Sequence, residues 1–143
     1  MADKKTSTWE LEEGNNLLLD FKKLQQVAAK IPGIIPVAVQ DINTKEVILI
    51  AYTNKESFKK SIKTRIATFW STSRNELWIK GETSGNIYEL KEVYVNCEQN
   101  SLLYVVNPKG EGICHTYNSK GKARNCFYRR LNMKTGKLEN TNP

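Results

Sequence analysis

The sequence predicts an α+β fold, a single compact domain dominated by antiparallel β-strands with a few short helices. Three observations carry this expectation. The chain has 143 residues, 39% of them hydrophobic and 26% charged, which is the composition of one globular unit. From residue 34 to 106, β-branched and aromatic runs alternate with short polar turns. Only two stretches, 11–28 and 54–62, show the three- and four-residue spacing of a helix.

In chain order, residues 1–8 read as a disordered leader and 9–33 as an N-terminal helical segment. Leu11, Leu17, Leu18, Phe21, Leu24, Val27 and Ala28 supply its apolar face, and Pro32-Gly33 ends it. Such a face suits packing on the core or dimerisation. Residues 34–130 form the main domain. Runs 34–40 and 47–52 flank a turn at 41–45, as in a hairpin. Asn54 stands where an N-cap belongs, before a short helix through Lys55, Phe58 and Ile62. Runs 68–70 and 77–79 pair around Arg74-Asn75, 81–85 is a loop, and strands at 87–95 and 102–106 are joined by 96–100. The last third is rich in Gly and Pro, with a short strand expected near Cys126-Phe127-Tyr128 and a tail over 131–143.

The chain carries 22 basic and 15 acidic side chains, a net charge of +7 that favours anionic partners such as nucleotides. A solvated lysine-rich surface would give the same count. The charge is scattered, as in Lys59, Lys60, Lys63 and Arg65, and nucleic-acid binding needs a clustered face instead. No apolar run approaches the roughly 18–20 residues that cross a bilayer. The charged start Met1-Ala2-Asp3-Lys4-Lys5 lacks a following apolar segment, so a cytoplasmic location is expected.

The chemistry-bearing residues fall into two groups. Cys97, Cys114 and Cys126 are odd in number, which argues against a disulfide framework. Free buried cysteines are the plain alternative. Their separations of 17 and 12 positions contain no paired Cys-x-x-Cys knuckle. Three thiolates with an open position for water fit a catalytic zinc better than a structural one. His115, the sole histidine, follows Cys114 directly and could be a fourth ligand, a general acid/base, or a local hydrogen-bonding group. The second group is Ser71, Ser73 and Arg74, then Lys80, Thr83, Ser84 and Gly85. Hydroxyls and exposed backbone N–H groups beside basic side chains suit a phosphate, although serine–glycine loops are also ordinary turns.

Several strings occur together and in order: 35–41 (IPVAVQD), 47–54 (VILIAYTN), 69–74 (FWSTSR), 77–85 (LWIKGETSG), then Cys97, Cys114-His115-Thr116 and Cys126-Phe127. Over roughly 34–128 the chain resembles the phosphoribosyl-AMP cyclohydrolase family of histidine biosynthesis. The resemblance implies hydrolysis of the N1–C6 bond of a phosphoribosylated adenine ring by a zinc-activated water. It implies a homodimer whose three cysteines meet across the subunit interface, and use of magnesium as well. Carried over, Cys97, Cys114 and Cys126 would hold zinc, and His115 would assist proton transfer. Ser71, Ser73, Arg74, Lys80, Thr83, Ser84 and Gly85 would hold the substrate.

Three departures bear on that expectation. Where the family has Asp-Cys-Asp-x-Asp, this chain reads Asn96-Cys97-Glu98-Gln99-Asn100, so Glu98 is the one candidate magnesium ligand left. Asn86 stands where the family has a histidine after Thr-Ser-Gly, and an amide neither gives nor takes a proton in catalysis. The last two cysteines lie farther apart than is usual, which costs little closure entropy. Two other functions therefore stay open: a divergent zinc hydrolase or deaminase acting on another purine nucleotide, and a non-catalytic module that binds nucleotides or RNA.

Overall fold

In the computed structural model, residues 6–83 and 85–143 are described. They form an α+β domain with three short helices and three sheets. The elements are α1 (Thr8–Glu13), α2 (Lys23–Lys30), β1 (Ile35–Asp41), β2 (Val47–Thr53), α3 (Lys55–Thr64), β3 (Thr68–Ser71), β4 (Glu76–Ile79), β5 (Tyr88–Val95), β6 (Leu102–Pro108), β7 (Arg129–Leu131) and β8 (Leu138–Asn140).

The main sheet has the order β2-β1-β6-β5. β1 pairs antiparallel with β2 and β6 antiparallel with β5, while β1 and β6 run parallel, with Val37 opposite Leu102 and Val39 opposite Tyr104. β1 shows strand alternation: Val37 and Val39 are fully buried, and Pro36 and Ala38 point the other way. The β1–β2 turn is closed by Asp41, whose Oδ1 accepts from the Asn43 backbone N–H at 2.7 Å, and Lys45 takes a left-handed φ of 67°.

Asn54 caps α3 as expected, in a reciprocal pair with Ser57. The buried face of α3 is not apolar. Ser57 and Ser61 are its fully buried residues, and Ser61 Oγ bonds both the carbonyl and the N–H of Thr68 at 2.9 Å. Small side chains let the helix approach the sheet closely, and bonding to the backbone removes the cost of burying their hydroxyls. Beneath them Tyr104 is buried, with an OH that finds no partner of good geometry among the described residues. Tyr104→Phe is therefore expected to leave the melting temperature unchanged or raise it slightly. A loss above about 1 kcal/mol in urea titration would show that the hydroxyl is bonded after all.

Three sequence expectations need correction. Residues 9–33 do not form one helix. Ser7 caps α1, which thus begins within the expected leader, whose first five residues lie outside the described ones. Gly14 ends α1, and Asp20 accepts from the N–H groups of Lys22 and Lys23 to start α2. The break destroys the continuous apolar face: Val27 and Ile31 are buried, whereas Leu17, Leu18, Leu19, Phe21 and Leu24 are exposed. Residues 126–128 are irregular, and the strand comes one step later as β7. Residues 131–143, expected as a tail, carry β8, which folds back on β7 through a turn in which Asn132 Oδ1 accepts from the N–H groups of Lys134 and Thr135 and Gly136 has φ 73°. No helix among the described residues is long and apolar enough to cross a membrane.

Candidate metal and nucleotide site

The segment from Gly112 to Cys126 folds as two zipped limbs. Gly112 N–H donates to the Ala123 carbonyl at 3.1 Å, Cys114 N–H to the Arg124 carbonyl at 2.7 Å, and Arg124 N–H to the Thr116 carbonyl at 3.1 Å. The extra residues between the cysteines form the tip, where Asn118 N–H donates to the Lys122 carbonyl at 2.9 Å and Gly121 has φ 75°. Cys126 N–H then donates to the Ile48 carbonyl at 3.0 Å, docking the second limb on β2. A Cβ at Gly112 would lie 2.3 Å from the Arg124 carbonyl carbon and oxygen, so only glycine permits this closeness. Gly112→Ala should prise the limbs apart, destabilising the fold by roughly 2 kcal/mol. Chemical denaturation of the two proteins measures this.

The zipper sets Cys114 and Cys126 side by side. Cys114 is buried and its Sγ lies 3.2 Å from Thr116 Oγ1. Hydrogen bonding from the Cys126 thiol, aided by Thr116, holds Cys114 down at about 5. The same contact, with burial, pushes the Cys126 thiol up. A low thiol beside a raised one suits a soft divalent ion such as zinc, since binding would displace the remaining proton.

Cys97 is apart. It is exposed, in the turn that follows β5. Val95 has Leu102, Val37 and Ala51 as successive neighbours across the sheet, so β5 and β2 are three strand spacings apart, roughly 14 Å. Among the described residues no group of three His, Cys, Asp or Glu side chains could hold a metal. One chain thus brings two of the three expected sulfurs together. Around Cys97 the turn is closed by amides: Asn96 Oδ1 accepts from the N–H groups of Asn100 and Ser101 at 2.9 Å, and Asn96 Nδ2 donates to Asn100 Oδ1 at 2.6 Å. Glu98 is the only carboxylate there, with Oε2 3.5 Å from Asn100 Nδ2. One carboxylate among amides committed to each other does not fit magnesium, which needs hard anionic oxygens around an octahedron.

His115 points away from the thiols. Cys114 and Thr116 face inward and the residue between them faces out, where His115 Nε2 lies 2.7 Å from Glu12 Oε1 of α1. That carboxylate raises the imidazole above its ordinary value.

The substrate-binding candidates occupy two loops. In the β3–β4 turn, Ser71 and Ser73 hydroxyls are 3.3 Å apart, Arg74 Nε donates to Ser71 Oγ at 3.4 Å, and Arg74 pairs with Glu76 at 3.3 Å. This turn and β2 share a cavity of about 200 Å³ walled by Tyr52, Trp70, Ser71, Ser73 and Trp78. β2 is therefore the common support: Ile48 anchors the cysteine limb, and Leu49 to Tyr52 line the hydroxyl cavity. In the β4–β5 loop, which carries Lys80, Thr83 and Gly85, Gly85 N–H donates to the Gly81 carbonyl at 2.8 Å. Ser84 lies outside the described residues. Asn86 packs against Gly110, where a Cβ would meet its Oδ1 at 2.0 Å.

Two features went unread in the sequence. The first is the aromatic wall of Tyr52, Trp70 and Trp78, which pattern alone assigns to ordinary strand positions. The second is Arg124, buried to 3% exposure between the cysteines. Its guanidinium makes a two-pronged pair with Glu13 of α1 at 2.6 and 3.2 Å, donates to the Asn142 carbonyl at 2.8 Å, and sits 4.5 Å over the Tyr128 ring. Tyr128 OH in turn donates to the Glu12 carbonyl at 2.6 Å. A lone arginine in a basic chain carries no sequence signal of burial, because its partners come from both ends of the chain.

With this geometry in place, comparison with known proteins is specific. A family model for phosphoribosyl-AMP cyclohydrolase matches residues 49–128. A phosphoribosyl-AMP cyclohydrolase from Archaeoglobus fulgidus is 50% identical over 99 residues, covering 69% of this chain and 86% of its own. One from Cenarchaeum symbiosum is 46% identical over 111 residues, covering 77% and 97%, and one from Chlorobium chlorochromatii is 39% identical over 127 residues, covering 87% of each. A match of this extent, over the segment that holds the zipped thiols and both candidate loops, shows that the chain belongs to the phosphoribosyl-AMP cyclohydrolase family.

Proposed function

We propose that the chain hydrolyses the N1–C6 bond of the adenine ring of phosphoribosyl-AMP, at a zinc site completed by a second copy of itself. The observation that carries this reading is the zipped segment 112–126, which holds the Cys114 and Cys126 thiols in mutual hydrogen-bonding reach with no third metal ligand grouped with them among the described residues. Cys97, exposed on the far turn, is the thiol that a symmetric homodimer would present to the partner's pair. A zinc ion there would supply Lewis acidity, lowering the pKa of a coordinated water toward about 7.

The chain's own residues do the rest. Ser71, Ser73, Arg74, Lys80, Thr83, Ser84 and Gly85 hold the ring and its phosphates. Water oxygen bonds to C6 as the N1–C6 bond breaks. C6 keeps its exocyclic nitrogen and becomes a carboxamide, and N1 takes up a proton. His115 supplies that proton and regains one from the attacking water, whose other proton passes to the exocyclic nitrogen; the Glu12 carboxylate favours the protonated imidazole, and its exposure leaves it open to a substrate outside its own core. No step is assigned to magnesium or to Glu98.

The amide-closed turn at 96–101 favours one second reading, a zinc hydrolase of the same family that acts on a different purine nucleotide. The deciding experiment combines a bound-metal count with ultraviolet monitoring of phosphoribosyl-AMP, with and without added magnesium. Turnover by the zinc form without magnesium, abolished in Cys126→Ala, supports the first reading. Bound zinc with no turnover overturns it, and turnover of another purine nucleotide then establishes the second.

A further inference from the structure

Outside the segment that matches the family model, α2 borders a basic hollow next to the β3–β4 turn. It has a volume of about 470 Å³ and is lined by Lys23, Gln26 and Lys30 on one side and Thr72, Ser73 and Asn75 on the other. Positions 23, 26 and 30 are one face of a helix, three and four residues apart, so both ammonium groups and the amide point to the same space. The buried Val27 and Ile31 seat that face. Neither Lys23 nor Lys30 forms an ion pair among the described residues, and the lining contains no carboxylate. Asp20, three positions before Lys23, is occupied by the backbone N–H groups of Lys22 and Lys23.

Thr72 and Ser73 line this basic hollow and also the aromatic cavity of Trp70 and Trp78 on the other side of the turn. A ligand with a flat ring at one end and an anion at the other would span the turn, with its ring on the indoles and its charge among the lysines. Nucleoside 5′-phosphates have that form.

We propose that Lys23 and Lys30 of α2 form a phosphate subsite with Thr72 and Ser73, so that the N-terminal segment takes part in recognising a nucleoside 5′-phosphate. This rests on the nucleotide reading above and assigns one end of that ligand. A mobile ammonium is suited to the task, since it binds phosphate as a point charge and needs no fixed fork.

The test uses the full chain, with AMP and adenosine as probes and tryptophan fluorescence as the readout. In the double variant Lys23→Ala/Lys30→Ala, AMP binding should weaken at least about tenfold while adenosine binding is unchanged. KM for phosphoribosyl-AMP should rise by a similar factor with kcat within about twofold, since only uniform binding is lost. Lys23→Arg/Lys30→Arg should keep AMP binding near the parent value, which separates lost charge from a disturbed helix. If the wild type turns over phosphoribosyl-AMP and the double alanine variant has the same KM and the same AMP affinity, the subsite is wrong and the cyclohydrolase reading stands. If the wild type does not turn it over, yet AMP binding still depends on the two lysines, the reading of the reaction falls and the subsite survives. Absence of any lysine-dependent AMP binding overturns the proposal.

Discussion

Mixing two inactive proteins, Cys97→Ala and Cys126→Ala, should restore about one quarter of the wild-type activity. In the proposed site shared between two chains, each variant alone would destroy every site, because each site would then lack one sulfur. In a mixed dimer, the Cys97→Ala chain still presents its Cys114–Cys126 pair and the Cys126→Ala chain still presents Cys97. One complete site results per mixed dimer, and random exchange makes about half of the dimers mixed. The expectation follows from the roughly three-strand separation between Cys97 and the paired thiols. Subunits must be exchanged by mild denaturation and refolding before assay. No recovered activity in a mixture shown by mass spectrometry to contain mixed dimers would mean that the three sulfurs do not gather between chains.

The second large effect is expected at the buried ion pair. Glu13→Gln should lower stability by about 2 kcal/mol, or about 5 °C in Tm, because it leaves the Arg124 guanidinium at 3% exposure without its counter-charge. The effect also has a pH signature. Arg124 hydrogen-bonds Glu13 and holds its carboxyl below the usual carboxylate range. A carboxylate with a depressed folded-state pKa contributes stability that is complete above its unfolded value, near 4.5, and is lost as pH falls through the folded value. Wild type should therefore lose stability steeply below about pH 4.5, and the Glu13→Gln variant less steeply, so the two curves should converge in acid. Chemical denaturation at pH 7 and at pH 3 measures this directly. Parallel curves would mean that the pair contributes nothing.

How much of this was legible in the sequence depends on how local each cause is. Val37 and Val39 alternate with outward residues, and Asn54 precedes its helix, so both signals lie within a few residues of their effect. The parallel alignment of β1 with β6 has no local signal, since it joins residues some 65 positions apart and depends on the whole sheet. Apolar spacing that runs across Gly14 masks the helix break there, although Gly14-Asn15-Asn16 is a run of poor helix formers. The buried serines of α3 were unreadable for a different reason: Ser61 is bonded to Thr68 on the next strand and Ser57 to Thr53 on the preceding one, whereas hydropathy alone places both outside.

At the candidate site, residue identities were readable and distances were not. The strings around Cys114, Cys126 and Ser71 marked the residues, but nothing in them said that one cysteine would stand three strands away. Arg124 was invisible because its significance comes from Glu13 and Asn142, which reach it from opposite ends of the chain.

The zipped limbs of 112–126 have an effect on how this region can vary. Their cross-links lie on the sulfur side of the tip, so residues gained or lost near Lys120 change the length of an outer bight and leave the spacing of the two sulfurs untouched. The long interval between the last two cysteines is thereby made harmless. Such an arrangement decouples chain length from the placing of the two thiols, and it marks 120–121, beyond the bonds that tie Ser119 to Pro143, as the place where a foreign segment could be spliced in without moving them.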